Sequence, residues 1–426
     1  MTTMSMLHWK RSQISNWSWQ RVRKRRREPL VNLIRRFGRI AINPRLRTLL
    51  AASILVMLTT SEVALAAQTA GVYDLIKDFG ADPTGTTDST AAVQAFFGAV
   101  GNGQVGLIPQ GTYSITATIN VNSQAGSRIN GLGPATSGQT IFRWDGPSGG
   151  IVFSLSAVET SYFKDFSITS GTGQIGVCMD TDEIPPISHI SSDNRYDDIF
   201  CKGSTIAGFR FSHTGQENDD MHFLTDVTVQ CNGGRGISVE GHESKFNLVR
   251  NGSFSNCDEG IAIVPFGSLH AWNPRFVNDK IDLHLGGPYD TIALYHPISI
   301  GSNQLLRIDG ETEAPWPVLI ENGDFDVSNI PAGTNAIQNL GPGPLLLKGN
   351  NFHSSNAGAS SAFAIVDVTF YSGGGLSSIG NVYPGGSPFQ GNGHLVSIGD
   401  IFNGGLGQTA APIVTGLILS ARPAPQ

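Results

Sequence analysis

Residues 72–121 read VYDLIKDFGADPTGTTDSTAAVQAFFGAVGNGQVGLIPQGTYSITATINV, and the rest of the chain is read outward from them. Tyr73 and Leu75 alternate with Asp74 and Ile76 in a first strand. Asp82-Pro83-Thr84-Gly85 is turn chemistry. Asp88-Ser89-Thr90 offers side-chain oxygens to the free N–H groups of a helix start. Ala91, Ala92, Val93, Ala95, Phe96, Phe97 and Val100 then give one apolar helical face, which Gly101-Asn102-Gly103 ends. Val105–Pro109 has the composition of a buried strand, and Gly111–Ile115 opens the next.

Downstream, a glycine followed by alternating apolar residues recurs. It appears as Gly150-Ile151-Val152-Phe153-Ser154, Gly176-Val177-Cys178-Met179-Asp180, Gly208-Phe209-Arg210-Phe211-Ser212, Gly236-Ile237-Ser238-Val239-Glu240 and Gly260-Ile261-Ala262-Ile263-Val264, with a weaker copy at Lys280-Ile281-Asp282-Leu283-His284. Repeats on this scale indicate stacked units, each too small to bury its own apolar face. Alternation places Phe209, Phe211, Ile237, Val239, Ile261 and Ile263 inside. It places Arg210, Ser212, Ser238, Glu240, Ala262, Val264, Asp282 and His284 outside. Val318–Asp326, Leu345–Phe352, Ala362–Phe370 and Leu395–Phe402 continue the pattern less regularly.

Upstream, the chain changes character. Residues 1–48 hold 13 of the 28 Lys and Arg and a single acid, Glu28. An apolar run follows, Leu49–Leu58, and then Ala64-Leu65-Ala66, a small-x-small site. This is the layout of a secretory signal peptide, or of an uncleaved signal anchor, and it predicts a secreted or periplasmic protein with transient contact to export machinery. The run is shorter than the roughly 20 residues that span a bilayer. Arg35-Arg36 has the form of a twin-arginine signal but lies far from the apolar run. The expected organisation is a basic leader with signal over 1–66, one domain over 67–415 and a tail over 416–426. Beyond position 66 there remain 15 basic and 32 acidic residues, net −17. Such a body is a poor nucleic-acid binder, because phosphate neutralisation needs Lys and Arg.

The opening residues Asp78-Phe79-Gly80-Ala81, Gly85, Thr87-Asp88, Thr90, Ala92, Gln94 and Pro109-x-Gly111-x-Tyr113 closely resemble the N-terminal segment of pectate-lyase-superfamily proteins, the group of rhamnogalacturonases and uronan epimerases. The resemblance implies an all-β, single-stranded right-handed parallel β-helix, a pectin-lyase-like solenoid with an N-terminal capping helix over 72–121. It also implies a polysaccharide partner and an exported carbohydrate-active enzyme, a glycosidase or lyase working by hydrolysis or β-elimination. The alternative is a non-catalytic glycan-binding or envelope protein. A homo-oligomer is compatible with either.

Raw spacing suggests the polygalacturonase-like set, with Asp197-Asp198, Asp219-Asp220, His242 and Arg275 about one coil apart. Strand register opposes it. Arg235 stands where that family's His falls, Ala262 and Val264 where its Arg and Lys fall, and Ile206-Ala207 where its paired aspartates fall.

What remains is a set of polar groups expected to line one groove. Asp219, Asp220, Glu240, Glu243 and His242 are the candidate catalytic acids and bases. Arg210, Arg235, Lys245, Trp272, Asp282 and His284 are the candidate substrate-binding residues, the cations countering a uronate and Trp272 stacking on a sugar. His222 and the run Asp193–Asp198 are read as structural and as loop, respectively. No cofactor is required. A Ca²⁺ ion among these carboxylates is compatible with the ligand chemistry, but no loop spacing demands a metal. Cys201, Cys231 and Cys257 end strands in successive coils and are read as an interior thiol ladder, although neighbouring coils also lie within disulfide reach.

Overall fold

A computed structural model describes residues 71–101, 103–132, 139–182, 191–212, 219–241, 244–265, 267–309, 316–331, 334–341, 343–354, 366–368, 375–384, 389–391, 394–403 and 413–414. The leader, the apolar run and the 416–426 tail lie outside these residues.

The cap forms as its sequence predicts. Val72–Asp74 pairs in parallel with Val105–Ile108, and Thr84–Asp88 with Gly111–Ile115. Between them lies the helix Thr90–Ala99, which buries Val93, Phe96 and Phe97. Phe96 meets Phe79 edge-on at 5.6 Å, and Phe97 meets Phe153 at 5.2 Å, so the helix plugs the open end of the solenoid core. Gly106 lets it approach, since a Cβ there would lie 2.4 Å from the Phe96 ring. Gln94 extends the plug to the sheet edge. Its amide donates to the Asn120 carbonyl at 2.7 Å and accepts the Asn120 N–H at 2.8 Å, satisfying the first strand of the sheet below. The predicted helix start is half right. Asp88 accepts the Thr90 N–H at 2.9 Å, whereas Ser89 makes no capping bond and instead accepts the Asp82 N–H at 3.0 Å.

Below the cap, parallel strands stack into a β-solenoid. The marker strands form one 11-stranded sheet from Ile119–Asn122 to Phe389–Gly391. In register, Asn120, Ser154, Asp180, Arg210, Ser238, Ala262, His284, Arg307 and Gln338 make one outer column. The predicted inward residues Phe209, Phe211, Ile237, Val239, Ile261 and Ile263 are all essentially inaccessible. Asp282 is a correction. It was expected outside, but each marker strand carries one extra inward residue, and Asp282 occupies in its coil the place of Gly236 and Gly260. It is 2% exposed.

The other two faces of the solenoid belong to one large sheet, and they meet at a corner of left-handed residues. Asp165, Asp198, Asp226, Asn251, Asn273, His296 and Asn322 all have φ between 48° and 60°, and Gly349, Gly380 and Gly399 continue the series. Asp and Asn tolerate this region better than most residues, because their short polar side chains can bond locally. Asn251 donates to Asp226 at 2.9 Å and Asn273 to Asn251 at 3.0 Å. The run Asp193–Asp198 is therefore not merely a loop: Arg195–Lys202 is one long strand bent at Asp198.

The thiol-ladder expectation also gives way. The four cysteines form two disulfides, Cys178–Cys201 and Cys231–Cys257, with Cα separations of 6.2 and 4.9 Å. Cys231–Cys257 joins residues about one coil apart, whereas Cys178–Cys201 ties a marker strand to a strand of the large sheet.

Candidate functional site

The expected single groove divides into several places. Asp219 is completely buried, accepting from the Thr181 hydroxyl at 2.8 Å and bonded to His222 at 2.7 Å. His222 lies in the interior column of Asn194 and Asn247 and stacks on Phe211 at 4.6 Å, so this Asp–His couple cannot meet a polymer. Asp220 is half-buried in the short bridge beside Ser192. Lys245 faces Asp290 at 3.5 Å. Asp282 is inside the solenoid, and Trp272 is on another face. His242, Glu243 and the loop 213–218 lie outside the described residues.

Arg210, Arg235, Glu240 and His284 do share the outer face of the marker sheet, but mainly as each other's partners or as those of neighbouring carboxylates. Arg210 forms a two-pronged pair with Asp180 at 2.7 and 2.9 Å, both nearly buried. Arg235 donates to Glu259 at 2.7 Å and to Glu240 at 3.2 Å. Glu259 also holds His284 Nδ1 at 2.6 Å, while His284 Nε2 meets Asp309 at 3.0 Å and Arg307 closes on Asp309 at 2.8 Å. Burial alone would discharge these groups. The hydrogen bonds prevail, raising the His284 pKa and lowering those of Glu259 and Asp309. Glu259, Asp309 and Arg307 were not singled out in the sequence. The network runs Glu240–Arg235–Glu259–His284–Asp309–Arg307, with opposite charges on successive partners.

A groove of about 980 Å³ lies on the next face, in the large sheet. Two outward columns build it. One reads Arg128, Tyr162, Arg195, Phe223, Leu248, His270, and the other Asn130, Lys164, Asp197, Thr225, Arg250, Trp272. Arg195 lies over the Phe223 ring at 5.3 Å and Lys164 near the Tyr162 ring at 5.8 Å. Trp272 stacks on Tyr295 at 5.1 Å, continuing the aromatic strip one coil on. Within the groove the Tyr162 hydroxyl donates a short hydrogen bond to Asp197. Burial and that carboxylate push the phenol up to about 12, so it holds its proton at neutral pH. Of the predicted substrate-binding residues only Trp272 lines this groove. The groove's other residues were not marked: Phe223, Leu248 and Arg250 come from strands of three to four residues, and Arg195 and Asp197 from a run that looked like loop, although each of these segments runs into the Asp/Asn corner.

Residues 75–268 match the family described as Rhamnogalacturonase A/epimerase, pectate lyase-like, so the resemblance seen in residues 72–121 is borne out over rather less than half of the chain. No curated protein matches. Among solved structures, the tailspike of E. coli bacteriophage HK620 is similar at 11% identity and TM-score 0.55, over 78% of this chain and 67% of that one. The A-module of the Azotobacter vinelandii mannuronan C-5 epimerase AlgE6 is similar at 15% identity and TM-score 0.53, over 83% of this chain and 100% of that one. The pre-mature gene product 12 of bacteriophage phi29 gives 14% and 0.53, over 82% and 55%. The chain thus spans about half of that gene product and two thirds of that tailspike. At these identities the likeness concerns the fold, a parallel β-helix shared by proteins of different activities.

Proposed function

We propose that this is an exported protein that acts on a polysaccharide, and that it holds the chain along the groove of the large sheet rather than on the marker sheet. The observation that carries the reading is the first column, in which Arg128, Tyr162, Arg195 and Phe223 alternate at the coil repeat, with Lys164, Arg250 and Trp272 in the second. Parallel coils recur about every 4.8 Å, so a polymer running along the axis meets rings and cations repeatedly. Cations concentrated on a body of net −17 favour an acidic glycan. The family match, the mannuronan epimerase neighbour and the tailspike neighbour are consistent with a glycan partner. Export is supported by the basic leader and apolar run, and by two disulfides, which persist in oxidising compartments.

The reaction we assign is chain cleavage by β-elimination. The Tyr162–Asp197 couple transfers the protons, and Arg195 and Lys164 counter the uronate carboxylate. The C5–H proton is taken, the C4–O bond breaks, a C4=C5 double bond forms, and the leaving oxygen receives a proton. The experiment is incubation of the purified protein with neutral and uronic glycans. Ultraviolet absorbance of an unsaturated uronate product is expected, lost in Tyr162→Phe and Asp197→Asn. New reducing ends without that absorbance would assign hydrolysis instead. The mutual neutralisation on the marker sheet favours a second reading, a protein that binds glycan without turning it over. Binding without new ends or unsaturation would establish it.

A further inference from the structure

The interior of the solenoid carries an aromatic column, and one coil interrupts it. Phe254, Phe276, Ser299, Phe325 and Phe352 occupy successive rungs. Rings stack at 5.6 Å above the break and 5.1 Å below it. Opposite the column run the extra inward residues of the marker strands. At Gly236 a Cβ would lie 2.5 Å from the Phe254 ring, and at Gly260 one would lie 2.6 Å from the Phe276 ring. In those two coils a glycine makes room for a ring. In the next coil both partners change together: Asp282 replaces the glycine and Ser299 the ring.

This exchange places polar atoms where neighbouring coils have only carbon. Both carboxyl oxygens of Asp282, the Ser299 hydroxyl and Oδ2 of Asp279 lack a hydrogen-bond partner. The three residues are 2%, 1% and 1% exposed. Asp279 is fixed beside them by the Cys257 N–H, which donates to its other oxygen at 2.7 Å, and its own N–H donates to Ser302 Oγ at 3.3 Å. The Ser299 and Ser302 hydroxyls flank Asp282 and offset part of its burial, though without completing well-formed hydrogen bonds to it. Among the described residues, neither carboxylate has an ion-pair partner. Two buried carboxyls without a countercharge are costly unless they take up protons or a cation.

We propose that Asp279, Asp282, Ser299 and Ser302 hold a hard, oxygen-ligated cation inside the solenoid, and that Ca²⁺ is the ion they fit. All the donors are oxygens, which suit Ca²⁺ rather than a thiophilic metal. Its tolerance of irregular coordination suits a pocket completed by backbone carbonyls or water better than Mg²⁺ would. The site lies inside the solenoid, includes none of the residues lining the groove and is independent of the glycan reading. The ion would tie adjacent coils together at the point where ring stacking is lost.

The purified full chain, stripped with EGTA and returned to metal-free buffer at pH 8, is titrated with Ca²⁺ by calorimetry and by thermal unfolding. One ion per chain is expected, with Tm rising by about 5 °C at a hundredfold excess over Kd. Asp282→Asn keeps the shape and removes a charge, and it should weaken Kd at least tenfold. The double variant Asp282→Gly with Ser299→Phe restores the glycine–ring pairing of the adjacent coils. It should fold with neither the binding nor the Ca²⁺-dependent rise. Absence of binding by the wild-type chain, or unchanged binding by both variants, overturns the proposal.

Discussion

The marker sheet and the groove face are built from similar side chains, and they use them in opposite ways. On the marker sheet Asp180 faces Arg210, and Glu240, Arg235, Glu259, His284, Asp309 and Arg307 link in alternating sign. On the groove face Arg195 lies over Phe223 and Lys164 near Tyr162, Lys164 also pairing with Asp165 at 3.0 Å. Parallel stacking sets neighbouring rungs about 4.8 Å apart, close enough for any acid–base neighbours to pair. Where signs alternate along a column or between adjacent ones, the face stabilises the coil stack. Where cations alternate with aromatics, polar capacity is left for a ligand. Polar richness alone therefore does not mark a site, and the two faces should respond differently to substitution.

The largest effect is expected at Arg210→Ala. Removing one member of a nearly buried two-pronged pair strands the Asp180 carboxylate, a loss of about 3–5 kcal/mol. Denaturant unfolding should show that loss, while glycan affinity measured on the folded protein stays unchanged. A drop in affinity without a drop in stability would move the binding site to the marker sheet. The double substitution Cys231→Ser with Cys257→Ser comes close behind. The disulfide closes a sequence separation of 26 residues, and releasing it should cost about 3–4 kcal/mol in the same assay, again without touching the groove.

The groove reverses the pattern. Trp272→Ala removes the ring that stacks on Tyr295 and closes one end of the pocket. As an aromatic anchor it should cost about 2 kcal/mol of binding, roughly thirtyfold in Kd. Stability should move much less, since surface changes away from core features usually stay within about 0.5 kcal/mol. Calorimetric titration with an acidic oligosaccharide, paired with an unfolding curve, checks both halves. Equal losses in the two would dissolve the distinction between the faces.

The cap and the marker strands were legible because their signals are local. Asp88 before an apolar helical run, glycines ahead of alternating apolar residues, and the opening family motif each specify a backbone state within a few residues. Inward Phe209, Phe211, Ile237 and Val239 follow directly. Asp282 was misplaced because strict alternation does not anticipate a second consecutive inward residue, which only the packing of Gly236 and Gly260 against Phe254 and Phe276 reveals. The groove was missed for a different reason. Its strands are three to four residues long at Phe223–Thr225, Asn247–Arg250 and Leu269–Trp272, too short for a periodicity to register. Yet Tyr162-Phe163-Lys164-Asp165, Arg195-Tyr196-Asp197-Asp198, Phe223-Leu224-Thr225-Asp226, Leu248-Val249-Arg250-Asn251 and His270-Ala271-Trp272-Asn273 share one grammar. Each places its residues outward, inward, outward and then at the left-handed corner. The corner Asp or Asn is the anchor from which the two outward columns can be counted. The ionic ladder was partly legible, as Arg235, Glu240 and His284 were marked. What joins them is register, Arg235 against Glu259 and His284 against Ala262 in the next outward column, and that needs the coil lengths fixed first.

The smallest effect separates the faces by pH. His284 lies between Glu259 and Asp309, with Arg235 and Arg307 beyond them, and its folded pKa is raised above the ordinary 6.5. A base with a raised folded pKa contributes stability that is fully present below 6.5 and lost as pH climbs through the folded value. Glu259 and Asp309 shift the other way, so their contribution is present above their unfolded values of 4.5 and 3.8 and is lost on acidification. The ladder is therefore strongest between about pH 4.5 and 6.5. Because these groups are only partly buried, the alkaline decline should stay below about 1 kcal/mol. Comparing Tm against pH for wild type and His284→Gln isolates it. The difference should shrink from pH 6.5 upward, since the variant has no proton to lose there. Glycan binding should ignore the same interval, because the Tyr162 phenol that shares the groove with Asp197 ionises only near 12. A binding curve that tracked the His284 transition would couple the ladder to the groove, and the two faces would then have to be treated as one site.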